Sequence, residues 1–221
     1  MHYFEEGDTL SDPAIVCHIM NDSEPDELKR IGVIRNYARS LSVDTDHDEQ
    51  VMKSALLLFD GLRPLHALDD DARFLLAAAA LLHDIGWSQG PEAHHKSSQR
   101  LIMEDHSLPL DERERTIIGL LARYHRKTLP SMKHRNYSEL NDEERSLIGI
   151  LASILRIADG LDRTHRSLVR DIRVTITKAG VTISCSSDQE GGAEWYYGTQ
   201  KADLFTRTFG REVAIEWTVG D

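Results

Sequence analysis

An uninterrupted run of nine apolar residues, Phe74–Leu82, constrains the fold of this chain more than any other segment, and His83 and Asp84 follow it directly. A helix that is apolar all round is expected to be buried on every side. The run is about half the length of the roughly 20 residues that a membrane span needs. It therefore predicts a helix inside a globular helical domain, with an imidazole and a carboxylate at its end. That pair suits a divalent first-row metal, although a helix-terminal His on the negative end of the dipole, beside a solvated Asp, is the alternative.

Three other segments place residues of the same type at helix ends. His47 opens a segment whose apolar residues repeat at helical spacing. His125 follows the apolar stretch of DERERTIIGLLARYHRK, and Asp159 ends RSLIGILASILRIADG, where Gly160 is a natural helix stop. All of these side chains adjoin apolar faces that should pack together, so the sequence predicts that they meet at one point.

Four motifs in series resemble a known family. They are ALLHDIGW, AHHKSSQRLI, LARYHRKTLP and ILRIADGLDRTHR. Between about Asp26 and Arg173 the chain resembles the C-terminal HD domain of the exopolyphosphatase / guanosine pentaphosphate phosphohydrolase family, within the HD superfamily of metal-dependent phosphohydrolases. Those enzymes carry an actin-like ATPase-fold region ahead of this domain, and 221 residues leave no room for one. The resemblance thus implies a stand-alone HD module and no polyphosphatase activity.

The residue pattern and the resemblance together imply a metal site. His47, His83, Asp84 and Asp159 are the expected ligands of one divalent ion (Mn, Fe, Co, Ni or Zn). Asp84 would also serve a second ion, for which His95 and His125 are the candidate ligands. The family pattern HKHS reads HHKSS here, so Ser97 replaces one histidine and a one-ion site remains the alternative, with His125 binding substrate or acting as a general acid.

Two histidines compete for the second-ion position. His94 and His95 lie about 100° apart on a helix, so only one is expected to face the site. The alignment with the first histidine of the family pattern favours His95. The remaining histidines, His165 among them, are interpreted as surface residues, and Asp162 is expected to orient a ligand or Arg163.

The charge is unevenly distributed. A net charge of −11 argues against non-specific nucleic-acid binding, which needs a basic surface. Residues 113–173, however, contain 13 basic and eight acidic residues, which suits a phosphorylated substrate. The candidate phosphate contacts, which we group with Asp84 and His125 as candidate catalytic residues, are Lys96, Arg126, Lys127 and Arg163; a solvated basic helix face is the alternative.

The chain divides into three parts. Residues 1–24 are expected to form an irregular arm, 25–170 the HD domain, and 171–221 a small α+β unit, giving a mainly α fold. Helices are predicted over 25–41, 46–62, 70–84, 92–105, 111–125 and 142–159, with a turn at Gly61–Pro64. The C-terminal unit should contain a hairpin around Lys178–Gly180, a short helix near 199–208 and a strand in REVAIEW.

Two classes of function follow from these features. The first is a metal-dependent phosphohydrolase that cleaves a nucleotide or another small phosphoester or phosphoanhydride. The second is a regulatory HD module that binds a phosphorylated ligand or a partner protein. The chain has an acidic start, two distant cysteines (Cys17 and Cys185) and no long apolar run. These features predict a cytoplasmic protein without a membrane partner. They are also compatible with a homodimer.

Overall fold

The computed structural model describes residues 26–220 as a helical domain followed by a small sheet with two helices. The predicted arm at residues 1–24 and Cys17 lie outside the described residues. The helices are α1 Asp26–Leu41, α2 Thr45–His66, α3 Asp70–Leu82, α4 His94–Glu104, α5 Glu112–Tyr124, α6 Arg135–Ser138, α7 Asp142–Gly160, α8 Gly192–Gln200 and α9 Asp203–Phe209. The strands are β1 Asp171–Ile176, β2 Val181–Ser187 and β3 Val213–Val219. The predicted mainly α fold with a small C-terminal α+β unit is confirmed.

Helix α3 is the centre of the helical domain. Every residue from Phe74 to Leu82 is buried, as the apolar run predicted, and α1, α2, α5 and α7 all pack against this helix. Asp69 caps its first turn by accepting a hydrogen bond from the Ala72 amide at 3.0 Å. Because these four helices surround α3, its C-terminal end lies next to the ends of its neighbours. The candidate site is at this end. None of the helices within residues 26–220 has the length and hydropathy needed to span a membrane.

The C-terminal unit packs directly on the helical domain. Strand β2 is central, antiparallel to β1 (Ile172 pairs with Cys185) and parallel to β3 (Ile183 pairs with Ile215). The connection from β2 to β3 contains α8 and α9, which both pack on α7, while β1 packs on α2. The unit therefore contacts the two helices that carry His47 and Asp159.

Two local predictions were wrong. No turn interrupts the chain at Gly61–Pro64, since α2 continues to His66 and ends at Ala67, which adopts a left-handed φ of 53°. Pro64 falls in the last turn, and burial of Leu62 in the core outweighs the hydrogen bond that proline cannot donate. Where a single helix was expected near 199–208, the structure has two helices, α8 and α9. The sequence did not indicate the start of α8, because this segment is rich in glycine and aromatic residues, which have low helix propensity. The predicted hairpin and the strand in REVAIEW are both present.

Candidate metal centre and phosphate cleft

The ends of four helices bring the predicted residues together. His47 lies in the first turn of α2, His83 and Asp84 follow α3, His125 follows α5, and Asp159 lies in the last turn of α7. The ring centroids of His47 and His83 are 5.3 Å apart, and those of His83 and His125 are 4.9 Å apart. The convergence predicted from the sequence is therefore present in the structure.

His47, His83 and Asp84 form the first cluster. Each offers one ligand atom, and these atoms all lie within 4.8 Å of one another. The Nδ1 of His83 lies 2.7 Å from the Ala80 carbonyl oxygen. Because a carbonyl only accepts, Nδ1 carries the proton and Nε2 keeps its lone pair for the cluster. The Nε2 atoms of both histidines and Oδ1 of Asp84 are buried and have no hydrogen-bond partner among the described residues. Buried polar atoms are rarely left unpaired, so this donor set fits a cation.

Carboxylates surround His47. Its Nδ1 donates to Oδ2 of the fully buried Asp162 at 2.8 Å, the role in orienting a ligand that the sequence suggested. Its Nε2 lies 3.6 Å from Oδ1 of Asp159. Burial alone would lower the pKa of His47, but these two carboxylates outweigh it and raise the pKa to about 10. The site thus stabilises positive charge at the point where the free atoms converge.

Asp84, His94 and His125 form a second cluster. Oδ1 of Asp84 lies 3.2 Å from Nε2 of His94 and 3.4 Å from Nε2 of His125. The Nδ1 of His125 donates to the Ala122 carbonyl at 2.7 Å, so its Nε2 is also free to face Asp84. Burial would raise the pKa of Asp84, but the imidazoles of His83, His94 and His125 close to its carboxylate outweigh burial and hold the pKa below its usual range. Asp84 is therefore an ionised carboxylate shared by both clusters.

The second cluster contains His94, whereas the sequence favoured His95 for this position. A Cβ on Gly86 would overlap the carbonyl oxygen of His94, so the glycine lets α4 begin directly against the segment that carries Asp84. His95, one residue on, is buried but lies outside both clusters. Burial lowers its pKa to about 4, and the neighbouring His94 and Arg126 side chains add to this effect. The sequence pattern indicates that only one of His94 and His95 faces the site. The close approach of the Gly86 and His94 backbones determines that this residue is His94.

A cleft of about 240 Å³ opens beside Asp84, His125 and Asp159. Four basic side chains line it: Arg126, Lys127 and Arg163, which the sequence predicted, and Lys201. Lys127 adopts a left-handed φ of 54°, an uncommon conformation that turns the chain directly after His125. Lys96, the remaining predicted contact, is exposed and does not line the cleft. It lies about 200° around α4 from His94, which explains this outcome.

No feature of the sequence predicted that Lys201 belongs to the site. It belongs to the C-terminal unit, 42 residues after Asp159, and its Nζ donates to Oδ2 of Asp159. Burial would raise the pKa of Asp159, but the ammonium of Lys201 and the nearby imidazole of His47 hold it well below its usual range. One carboxylate thus faces His47 with one oxygen and an ammonium group with the other.

Asp84, Trp87 and His165 line both this cleft and a second one of about 270 Å³. The Trp87 indole donates to Oδ2 of Asp84 at 3.2 Å and stacks on His94 at 4.5 Å. His165, interpreted from the sequence as a surface residue, stacks on His47 at 3.8 Å and bonds Asp44 at 2.8 Å. Both rings therefore limit the movement of the cluster residues.

The fold and the site define a helical domain in which helix ends bring together a buried His/Asp cluster beside a basic cleft. Residues 30–193 match the family model described as Ppx/GppA phosphatase, domain III. This match covers most of the chain, and the chain belongs to that family.

One curated relative is the guanosine-5'-triphosphate,3'-diphosphate pyrophosphatase of Pseudoalteromonas atlantica. It is 29% identical over 133 residues, which make up 58% of this chain and 26% of the relative. The chain thus spans about a quarter of the length of the relative it matches.

Proposed function

We propose that this chain is a metal-dependent phosphohydrolase of the HD type that cleaves a small phosphoester or phosphoanhydride. The observation that carries the proposal is the convergence of three buried, unpartnered ligand atoms, Nε2 of His47, Nε2 of His83 and Oδ1 of Asp84. Membership of a phosphatase family supports the reaction class. In this proposal residues 25–170 form the HD domain and 171–221 a separate small unit.

The protein residues prepare the site for a divalent cation. His47 and His83 present Nε2 because Asp162 and the Ala80 carbonyl fix their Nδ1 protons, and Asp159 adds a carboxylate oxygen near His47. When bound, a divalent ion such as Mn, Fe, Co, Ni or Zn would lower the pKa of a coordinated water and offset charge on the phosphoryl group. A second ion at Asp84, His94 and His125 is the two-ion version; in the one-ion version His125 would bind substrate or act as a general acid.

The cleft next to the cluster would bind the phosphate. Arg126 and Arg163 suit bidentate contacts with phosphoryl oxygens, and Lys127 supplies a point charge. The name of the relative, guanosine-5'-triphosphate,3'-diphosphate pyrophosphatase, refers to a nucleotide with several phosphates, so a nucleotide is the substrate that we propose to test first. The net charge of −11 favours a small anion drawn to this local cleft over a nucleic acid.

A phosphate-binding module without turnover is the second candidate. The match covers only 26% of the relative, so the activity in the name of the relative does not by itself transfer to this domain. In this candidate the same residues bind metal and a phosphorylated ligand, or a partner protein, without cleaving a bond. Turnover of a phosphoester by the purified chain separates the two candidates.

The test compares the wild type with His83→Ala and Asp159→Ala. Metal content is measured by elemental analysis, and turnover is measured on nucleotides and simple phosphoesters with Mn, Co, Ni or Fe. Both variants should lose bound metal and turnover while keeping the helical circular-dichroism spectrum. His106→Ala, an exposed histidine that lines neither cleft, is the matched control and should behave as the wild type. Undiminished metal in both site variants would contradict the metal site, and metal binding without turnover on any substrate would favour the binding module.

A further inference from the structure

Helix α8 of the C-terminal unit lies against the end of α7 that carries Asp159. A Cβ built on Gly160 would be 2.8 Å from the Cα of Gly198 and 2.9 Å from the Tyr197 carbonyl oxygen. Ordinary carbon–carbon contacts are about 3.5–4.0 Å, so the absence of a side chain at Gly160 allows this approach. The contact fixes the position of α8 and of Lys201, which follows it, relative to Asp159.

Two side chains of the C-terminal unit reach the phosphate cleft because of this contact. The ring of Tyr197 lies 4.8 Å from the guanidinium carbon of Arg163. The Lys201 side chain is only 19% exposed and pairs with Asp159, whose side chain is 13% exposed. The ammonium of Lys201 and the carboxylate of Asp159 are thus largely withdrawn from water at the wall of the cleft, whereas Tyr197 is exposed.

A purely structural ion pair is a poor explanation for Lys201. Burying such a pair gives little net stability, because desolvation offsets the attraction. Lys201 also shares the cleft with Arg126, Lys127 and Arg163, against the two carboxylates of Asp84 and Asp159. Four cations around two carboxylates leave an excess of positive charge that a bound anion would balance.

We propose that Lys201 is a phosphate-binding residue, so that the C-terminal unit forms part of the active site. The inference rests on the proposed function, because it needs a phosphate beside the metal cluster. By bonding Oδ2 of Asp159, Lys201 leaves Oδ1 directed toward His47. The same ammonium lies close to the expected cation and repels it, whereas it attracts the phosphate. Its removal should therefore affect the two ligands in opposite directions.

The experiment measures the binding of Mn²⁺ alone, and of inorganic phosphate to the Mn²⁺-loaded full chain, by isothermal titration calorimetry. Lys201→Met should bind Mn²⁺ at least as tightly as the wild type but phosphate about 10- to 100-fold more weakly, the range expected for one lost charge-assisted hydrogen bond. Lys201→Arg keeps the charge and should retain most of the phosphate affinity. Lys178→Met, an exposed lysine in the hairpin of the same unit, is the matched control and should leave both affinities unchanged.

Each outcome decides the proposal. If Lys201→Met and the wild type bind phosphate equally well, Lys201 is not a phosphate-binding residue and the proposed function survives. If both ligands bind more weakly to Lys201→Met and Lys201→Arg does not restore them, the role of Lys201 is structural and the inference is wrong. If the wild type binds neither Mn²⁺ nor phosphate, both the inference and the proposed function are wrong.

Discussion

Gly160→Ala tests whether the position of α8 controls the phosphate cleft. The new Cβ would lie 2.8 Å from the Cα of Gly198 and 2.9 Å from its backbone nitrogen. Both are backbone atoms that cannot rotate away, so α8 must retreat by roughly 0.7 Å to restore an ordinary contact of about 3.5 Å. Lys201 follows α8 directly and would move with it, away from Asp159.

The size of the effect follows from two opposing terms. Overpacking of this kind costs about 1–3 kcal/mol of unfolding free energy. Gly149→Ala, on the same helix, is the matched control, because its Cβ would meet Thr208 Oγ1 at 3.5 Å and Cγ2 at 3.7 Å, both ordinary contacts. Alanine in a helix interior is favoured over glycine by up to about 1 kcal/mol. The two alanine variants should therefore differ by about 1–4 kcal/mol, with Gly160→Ala the less stable.

Urea denaturation followed by circular dichroism measures the free energy of unfolding, and calorimetry measures phosphate affinity on the Mn²⁺-loaded protein. Gly160→Ala should be destabilised and bind phosphate more weakly, while Gly149→Ala should be as stable as the wild type or more so, with unchanged affinity. Equal stability of the two variants would refute the close packing of α7 and α8. Lower stability with full phosphate affinity would show that the position of α8 does not govern the cleft.

Two further substitution pairs test the site. If Asp84, His94 and His125 hold a second ion, His94→Ala should lower the Mn²⁺ stoichiometry from two to one, whereas His95→Ala should not; an equal loss in both variants would contradict the assignment to His94. Lys127→Ala should raise KM for a phosphoester with little change in kcat, because it removes a contact that the ground state and the transition state share. Lys96→Ala, outside the cleft, is its control, and a fall in kcat alone for Lys127→Ala would show that Lys127 acts in the chemical step.

The sequence predicted the helical domain well because its signals are local. The apolar run before His83 and the caps of α3, α5 and α7 are encoded within single segments, so helix ends fell within about two residues of their predicted positions, except at α2. Placing ligand-type residues at several of those ends was enough to predict that they meet. The family resemblance added the order of the motifs and the choice of reaction class.

The features that the sequence did not reveal depend on contacts between distant segments. His94 replaces His95 because Gly86 lets α4 approach, and the alignment with the family pattern carries no information about that contact. Lys201 pairs with Asp159 where Gly160 lets α8 approach the end of α7 closely. The stacking of His165 on His47 joins residues more than 100 positions apart, so a pattern of neighbouring residues cannot predict it.

The separation along the chain of the groups around His47 has a consequence for folding. Its partner Asp162 lies 115 residues away, and the C-terminal unit must be in place before Lys201 reaches Asp159. Closing such long loops costs entropy before any contact repays it, and contacts of high sequence separation slow folding. The candidate metal centre is therefore expected to form late in folding, and a growing chain on the ribosome has no complete site until Lys201 has been synthesised.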